Sequence, residues 1–130
     1  MAMGAEPQQP QLASLRVWYK NEFITPQGSY LGEVWNDLDR FQRNRGGRTF
    51  THDLKAVGLD SQGKQVAVDA TWTASNPAMV DLSPGQGRQV KLTIKKAGKS
   101  AILVNAGKVT RKLTVKAAYR KGEMLVEITQ

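Results

Sequence analysis

The chain has 130 residues, no cysteine, and 19 Lys+Arg against 11 Asp+Glu, a formal net charge of +8. That length suits one domain with its own apolar core, and the lack of cysteine excludes disulfides, thiolate nucleophiles and cysteine-ligated zinc. The charge is uneven: residues 1–39 hold two bases and five acids, a net of −3, and residues 40–130 hold the other 17 bases against six acids, a net of +11. A surface of that sign attracts polyanions such as nucleic acid, anionic lipid or envelope polymers. Lysine-rich strand faces also resist edge-to-edge aggregation.

Residues 1–11 are polar and rich in Pro and Gln. They are expected to form a disordered tail or a cloning remnant, ahead of a mature N-terminus whose targeting segment has been removed. Residues 12–130 are then a single domain. No apolar run approaches the ~20 residues of a membrane-spanning helix. Leu12 to Tyr19 reads as a strand, with Leu15, Val17 and Tyr19 alternating against Ser14, Arg16 and Trp18, and Thr25-Pro-Gln-Gly28 is a turn. Over 33–43 the pattern changes. Val34, Leu38 and Phe41 fall at i, i+4 and i+7, with Glu33 and Asp37 early and Arg40 and Arg43 late, which predicts a short helix. A basic, glycine-containing loop, Arg43 to Arg48, is expected to end it.

Strand signals resume at Thr49 to Leu59, with Phe50, His52, Leu54 and Ala56 on one side. Asp60 to Gly63 is a turn and Lys64 to Val68 is extended. Asp69 to Ala74 places Ala70 and Trp72 on one face, Asn76-Pro77 turns the chain, and Met79 to Leu82 is a short strand followed by a loop over 83–87. Arg88 to Lys95 alternates Val90, Leu92 and Ile94 against Gln89, Lys91, Thr93 and Lys95. Ser100 to Asn105 and Val109 to Ala117 form a hairpin, and Met124, Val126 and Ile128 mark a last strand. About seven to eight short strands separated by Gly/Pro turns predict an all-β fold, a β-sandwich with one short inserted helix.

Four segments in order carry a resemblance: Leu-Lys-Ala-Val-Gly-Leu-Asp-Ser-Gln-Gly-Lys (54–64), Ala-Thr-Trp-Thr-Ala-Ser-Asn-Pro-Ala-Met-Val (70–80), Lys-Ala-Gly-Lys-Ser-Ala-Ile (96–102) and Lys-Leu-Thr-Val (112–115). Together, residues 50–117 resemble the group 2 bacterial immunoglobulin-like domains of intimin- and invasin-type surface proteins. The segment before Phe50, the 83–89 loop and the strand at 123–129 depart from that pattern. The resemblance implies an immunoglobulin-like sandwich in a periplasmic, cell-surface or secreted protein. Its role would be adhesion, partner or polymer binding, or spacing, and the family carries no catalytic residues to transfer.

The chemistry outside the core is sparse. His52, the only histidine, lies in a strand row with apolar neighbours, while Asp53 points to the other face, so it reads as structural rather than as a base or metal ligand. Gly85-Gln-Gly87 lacks the third glycine and the βαβ context of a dinucleotide loop. No cofactor or metal site is expected, and no enzyme. Trp72 is expected in the core. The binding candidates are basic. Lys108, Lys112 and Lys116 recur on the outward row of one strand, with Lys99 across the hairpin. Arg43, Arg45 and Arg48 form the arginine loop, and Trp35 is an aromatic candidate beside it. The expected partner is an anionic glycan or envelope polymer, or another envelope protein. The alternative is a basic nucleic-acid-binding domain, although the outward strand rows lack the stacking aromatics such readers use.

Overall fold

The computed structural model describes residues 12–130; the tail expected over 1–11 lies outside them. The described residues form twelve strands and no helix: β1 (Ser14–Ile24), β2 (Tyr30–Asp37), β3 (Arg40–Gly46), β4 (Phe50–Leu59), β5 (Gln65–Val66), β6 (Ala70–Ala74), β7 (Val80–Ser83), β8 (Gln86–Gly87), β9 (Gln89–Ile94), β10 (Gly98–Ala106), β11 (Val109–Arg120) and β12 (Glu123–Thr129). The strands pair into two antiparallel sheets. One runs β2-β1-β4-β9-β7, with β5 attached to β4, and the other runs β3-β12-β11-β10-β6-β8. Within them, β1-β4-β9-β7 and β6-β10-β11 reproduce the four-plus-three strand arrangement of the immunoglobulin sandwich.

Alternation along each strand builds the core. Leu15 and Val17, Leu54 and Ala56, and Val90, Leu92 and Ile94 face inward from the first sheet. Trp72, Ile102, Val104, Leu113, Val115, Met124, Val126 and Ile128 face them from the second. Trp72, on the third strand of the immunoglobulin pattern, is 4% exposed and donates from Nε1 to Gly87 O at 2.9 Å. The indole thereby fills core volume without leaving its polar atom unpaired. Two hairpins close with the residues their turns require. Lys121 and Gly122 both have positive φ (52° and 79°), as a type I′ turn demands, and at Gly107-Lys108 only the glycine does (60°), as in type II′.

The helix expected over 33–43 is absent. The segment is instead the end of β2, a crossover at Leu38–Asp39 and the start of β3. β2 pairs with β1 at the edge of the first sheet, and β3 pairs with β12 at the edge of the second, so this insertion ties the two sheets together. The helical spacing of Val34, Leu38 and Phe41 arises from a change of parity. Along β2 the even positions lie on the inner side. The bend after Leu38 shifts the inner row to Phe41, Arg43 and Arg45. Leu38, fully buried in the crossover, donates its backbone N–H to Val17 O at 2.8 Å. Its carbonyl accepts from the Gln130 side chain, which also accepts from Val17 N at 2.7 Å. Pairing with strands distant in sequence therefore satisfies backbone groups that the expected helix would have satisfied internally. The strand count also exceeds the expected seven to eight: β2 and β3 stand in place of the helix, β8 lies at the expected 83–87 loop, and β5 is a short strand in the segment read as extended.

Candidate anion-binding surfaces

The lysine row expected on the β10–β11 hairpin is largely assembled. Lys99 pairs directly with Lys116, and Lys112 lies opposite Leu103 on the same outer face of the second sheet. Lys108 departs from it: it occupies the hairpin turn after Gly107, beyond the strand row where its four-residue spacing had put it. The row is also less cationic than its lysines imply. Glu127 lies across from Lys116 on β12. Hydrogen bonds from Arg40 Nη2 (3.0 Å) and Gln42 Nε2 (2.8 Å) hold its carboxyl below the usual carboxylate range. Gln42, Asn44, Lys116, Ala118, Leu125 and Glu127 line a shallow depression of about 410 Å³ on this face.

The arginines expected in one loop are separated. Arg43 and Arg45 lie in β3, on the inner row that begins at Phe41, and only Arg48 lies in the turn after it. Within a strand, residues two apart share a face, so the two guanidinium groups point to the same side. Trp35 does not join them as an aromatic partner. It lies on the outer face of the first sheet, paired with Lys20 and diagonal to Trp18, with Lys55 Nζ 4.6 Å over its ring. Burial and the nearby Arg88 lower the Lys55 pKa. Trp18 Nε1 is buried without a hydrogen-bond partner among the described residues.

Arg43 stacks on Phe41 (4.8 Å to the centroid) and Tyr19 (5.8 Å), and donates to Gln42 O at 2.9 Å and Asn21 Oδ1 at 3.3 Å. Arg45 lies 4.8 Å over Phe50 and donates to Thr51 O at 2.7 Å. Its second Nη is 3.4 Å from His52 Nδ1. His52 Nε2 lies 2.8 Å from Lys20 O, and a carbonyl only accepts, so Nε2 carries the proton and Nδ1 accepts from Arg45. Burial lowers the His52 pKa, with Arg45 and Arg43 adding repulsion, and the neutral ring stacks on Phe50 at 5.9 Å. Asp53 faces away and pairs with Lys20 Nζ at 2.9 Å, so it does not orient the imidazole. Among the described residues no three of His, Asp or Glu are grouped to hold a metal, and no helix is long and apolar enough to cross a membrane.

A second basic feature, which the strand patterning does not reveal, lies at the end of the sandwich where β3 passes to β4, β9 to β10 and β11 to β12. Gly47, Arg48, Lys95, Tyr119 and Gly122 line a groove of about 650 Å³ there. Tyr119 is 43% exposed, and its hydroxyl donates to Arg48 O, while Gly47 N–H bonds Gly122 O at 3.1 Å, so the turns brace one another. The three connecting turns carry Arg48, Lys95, Lys96 and Lys121 and no acid. The available signal was local: Tyr119 continues the inward row Leu113, Val115, Ala117 past the end of the core and is followed by Arg120 and Lys121. Compared with protein-family models, with curated proteins and with solved structures, the chain gives no match.

Proposed function

We propose that this chain is a non-catalytic immunoglobulin-like module of a bacterial extracytoplasmic protein that holds an anionic polymer at the basic end of its sandwich. The observation that carries this reading is the groove in which Arg48 and Lys95 flank the exposed ring of Tyr119, surrounded by turns without a carboxylate. Supporting it, only Arg16, Lys20 and Arg40 form ion pairs among the described residues, so most of the positive charge is free to meet a partner. The extracytoplasmic placement rests on the resemblance of residues 50–117 to the group 2 bacterial domains. Lys99, Lys112 and Lys116 extend the field along the adjoining face. Adhesion is the role that such attraction would serve.

The same exposed Tyr119 favours one alternative, a nucleic-acid-binding domain, because an aromatic ring among bases stacks bases as readily as it packs on sugars. Retention on single-stranded DNA, a sulfated glycan and a phosphate-linked polymer of matched charge density distinguishes the two. Binding is expected to fall roughly a hundredfold between 50 and 200 mM salt, the loss for about four neutralised charges. The double substitution Arg48→Gln/Lys95→Gln is expected to remove most of it. No retention at 50 mM salt, or a double variant that binds like the parent chain, overturns the proposal. Clear preference for DNA moves it to the alternative.

A further inference from the structure

We propose that the cleft between β1, β3 and β4 is a discrete binding site for a phosphate monoester group, separate from the Tyr119 groove and not dependent on the polymer reading. Its geometry follows from how the strands part. The β1–β4 ladder ends at Tyr19↔Leu54. Beyond that point β1 stays with β2 as far as Ile24↔Tyr30, and β4 stays with β9 as far as Phe50↔Ile94. The gap between them is a cleft of about 440 Å³ lined by Lys20, Asn21, Glu22, Arg43, Arg45, Thr51, His52, Asp53 and Lys91, of which Arg43 and Arg45 carry the recognition.

Both guanidinium groups are held in place before any ligand arrives. Arg43 lies over Phe41 and Tyr19 and Arg45 over Phe50, and every hydrogen-bond partner they have among the described residues is neutral: two backbone carbonyls, the Asn21 amide oxygen and the His52 ring nitrogen. Neither has a carboxylate within ion-pair distance among the described residues. The two acids at the cleft, Asp53 and Glu22, lie 2.9 Å and 3.7 Å from Lys20 Nζ, and Asp53 together with Glu33 raises the Lys20 pKa. A guanidinium has five N–H donors, and each of these has two engaged, so three remain on each arginine lining the cleft. An arginine pre-organised by stacking, with no anion of its own, is the arrangement that recognises a phosphate through paired hydrogen bonds.

The charge count selects the class of anion. Arg43 and Arg45 bring two positive charges with no ion pair among the described residues, which a phosphate monoester dianion neutralises and a carboxylate does not. Three terminal phosphate oxygens also serve two guanidinium forks, whereas a carboxylate offers two.

Titration of the full chain with inorganic phosphate at neutral pH, followed by calorimetry and by the NMR signals of the arginine Nε–H groups and the His52 ring, tests this. Saturable binding at one site with a Kd near or below about 1 mM is expected, with acetate at least about tenfold weaker. Arg45→Gln and Arg43→Gln should each weaken phosphate about tenfold or more. Lys64→Gln, which removes the same charge from a distant exposed turn, should not. Arg45→Lys keeps the charge but loses the fork, so it guards against misreading a folding defect and is also expected to weaken binding. A nucleoside monophosphate and a sugar phosphate then distinguish the source of the ester. Shifts that never saturate, or a loss in Lys64→Gln equal to that in Arg45→Gln, overturn the site and leave only diffuse charge attraction.

Discussion

At Gly58, buried in β4, an added methyl group would lie 2.5 Å from Val68 Cγ1, 2.6 Å from Leu12 Cδ1 and 3.0 Å from Val66 Cγ2. Two of these three are stiff β-branched side chains, so they move only with the backbone that carries them. Gly58→Ala is therefore expected to cost about 1–3 kcal/mol of stability, the range for overpacking a filled site, measured by denaturant unfolding. His52 carries a pH dependence. Its folded pKa lies below the ordinary 6.5, chiefly through burial and then through Arg45 and Arg43, with the Lys20 carbonyl and Asp53 opposing. As pH falls below 6.5 the unfolded chain takes the proton first, so stability is complete above that value and declines beneath it. The melting temperature is expected to drop from pH 7 towards pH 5, and His52→Gln should flatten that part of the profile; an unchanged slope in the variant would remove His52 as the cause. The structural role of His52 was legible from its place in an apolar row. Its contact with Arg45 was not, because the arginine comes from β3, where the sequence pattern had placed the end of a helix and a basic loop.

β2 is the element where sequence pattern and structure part most clearly. Among the described residues its backbone pairs with β1 on one side only, and it carries exposed Tyr30, Leu31 and Val34, with Phe23 and Ile24 beside them on the end of β1. An unpaired apolar edge invites pairing with another chain. Leu31 is 68% exposed, so Leu31→Lys is expected to change folding stability by no more than about 0.5 kcal/mol while lowering concentration-dependent association in sedimentation velocity. Equal association in both proteins would show that the edge is already blunted by Glu33 and by the strand's twist. The regular strands were readable because one face of each is buried, which imposes a period of two: β4, β9, β10, β11 and β12 lie close to where alternation placed them. The β2–β3 insertion was not readable, because each half serves a different sheet and the parity change between them mimics a helical period. Ser100, the one buried polar side chain among the described residues, shows a similar dependence on context. Its hydroxyl accepts from Asn76 N at 3.1 Å and donates to Ala101 O at 3.0 Å, bracing the Asn76-Pro77 turn against β10.

Across the whole molecule, composition and alternation by themselves determined an all-β sandwich with Trp72 in its core, a surface dominated by positive charge, and a hairpin that carries Lys99 across from the lysine strand. Those properties are additive or local: charge is a sum, and side-chain period is set by the pleat of each strand. Tertiary structure alone decided which basic residues act together. It placed Lys108 in a turn outside the strand row, set Glu127 against Lys116, separated Trp35 from the arginines, and drew Arg48 and Lys95 from two connections and Tyr119 from the end of β11 into one groove. It also opened the Arg43–Arg45 cleft by letting β1 leave β4 after Tyr19. The physical reason is that a binding surface on a sandwich is built across strands adjacent in space and distant in sequence. Its membership depends on strand order and register, which one-dimensional spacing does not encode.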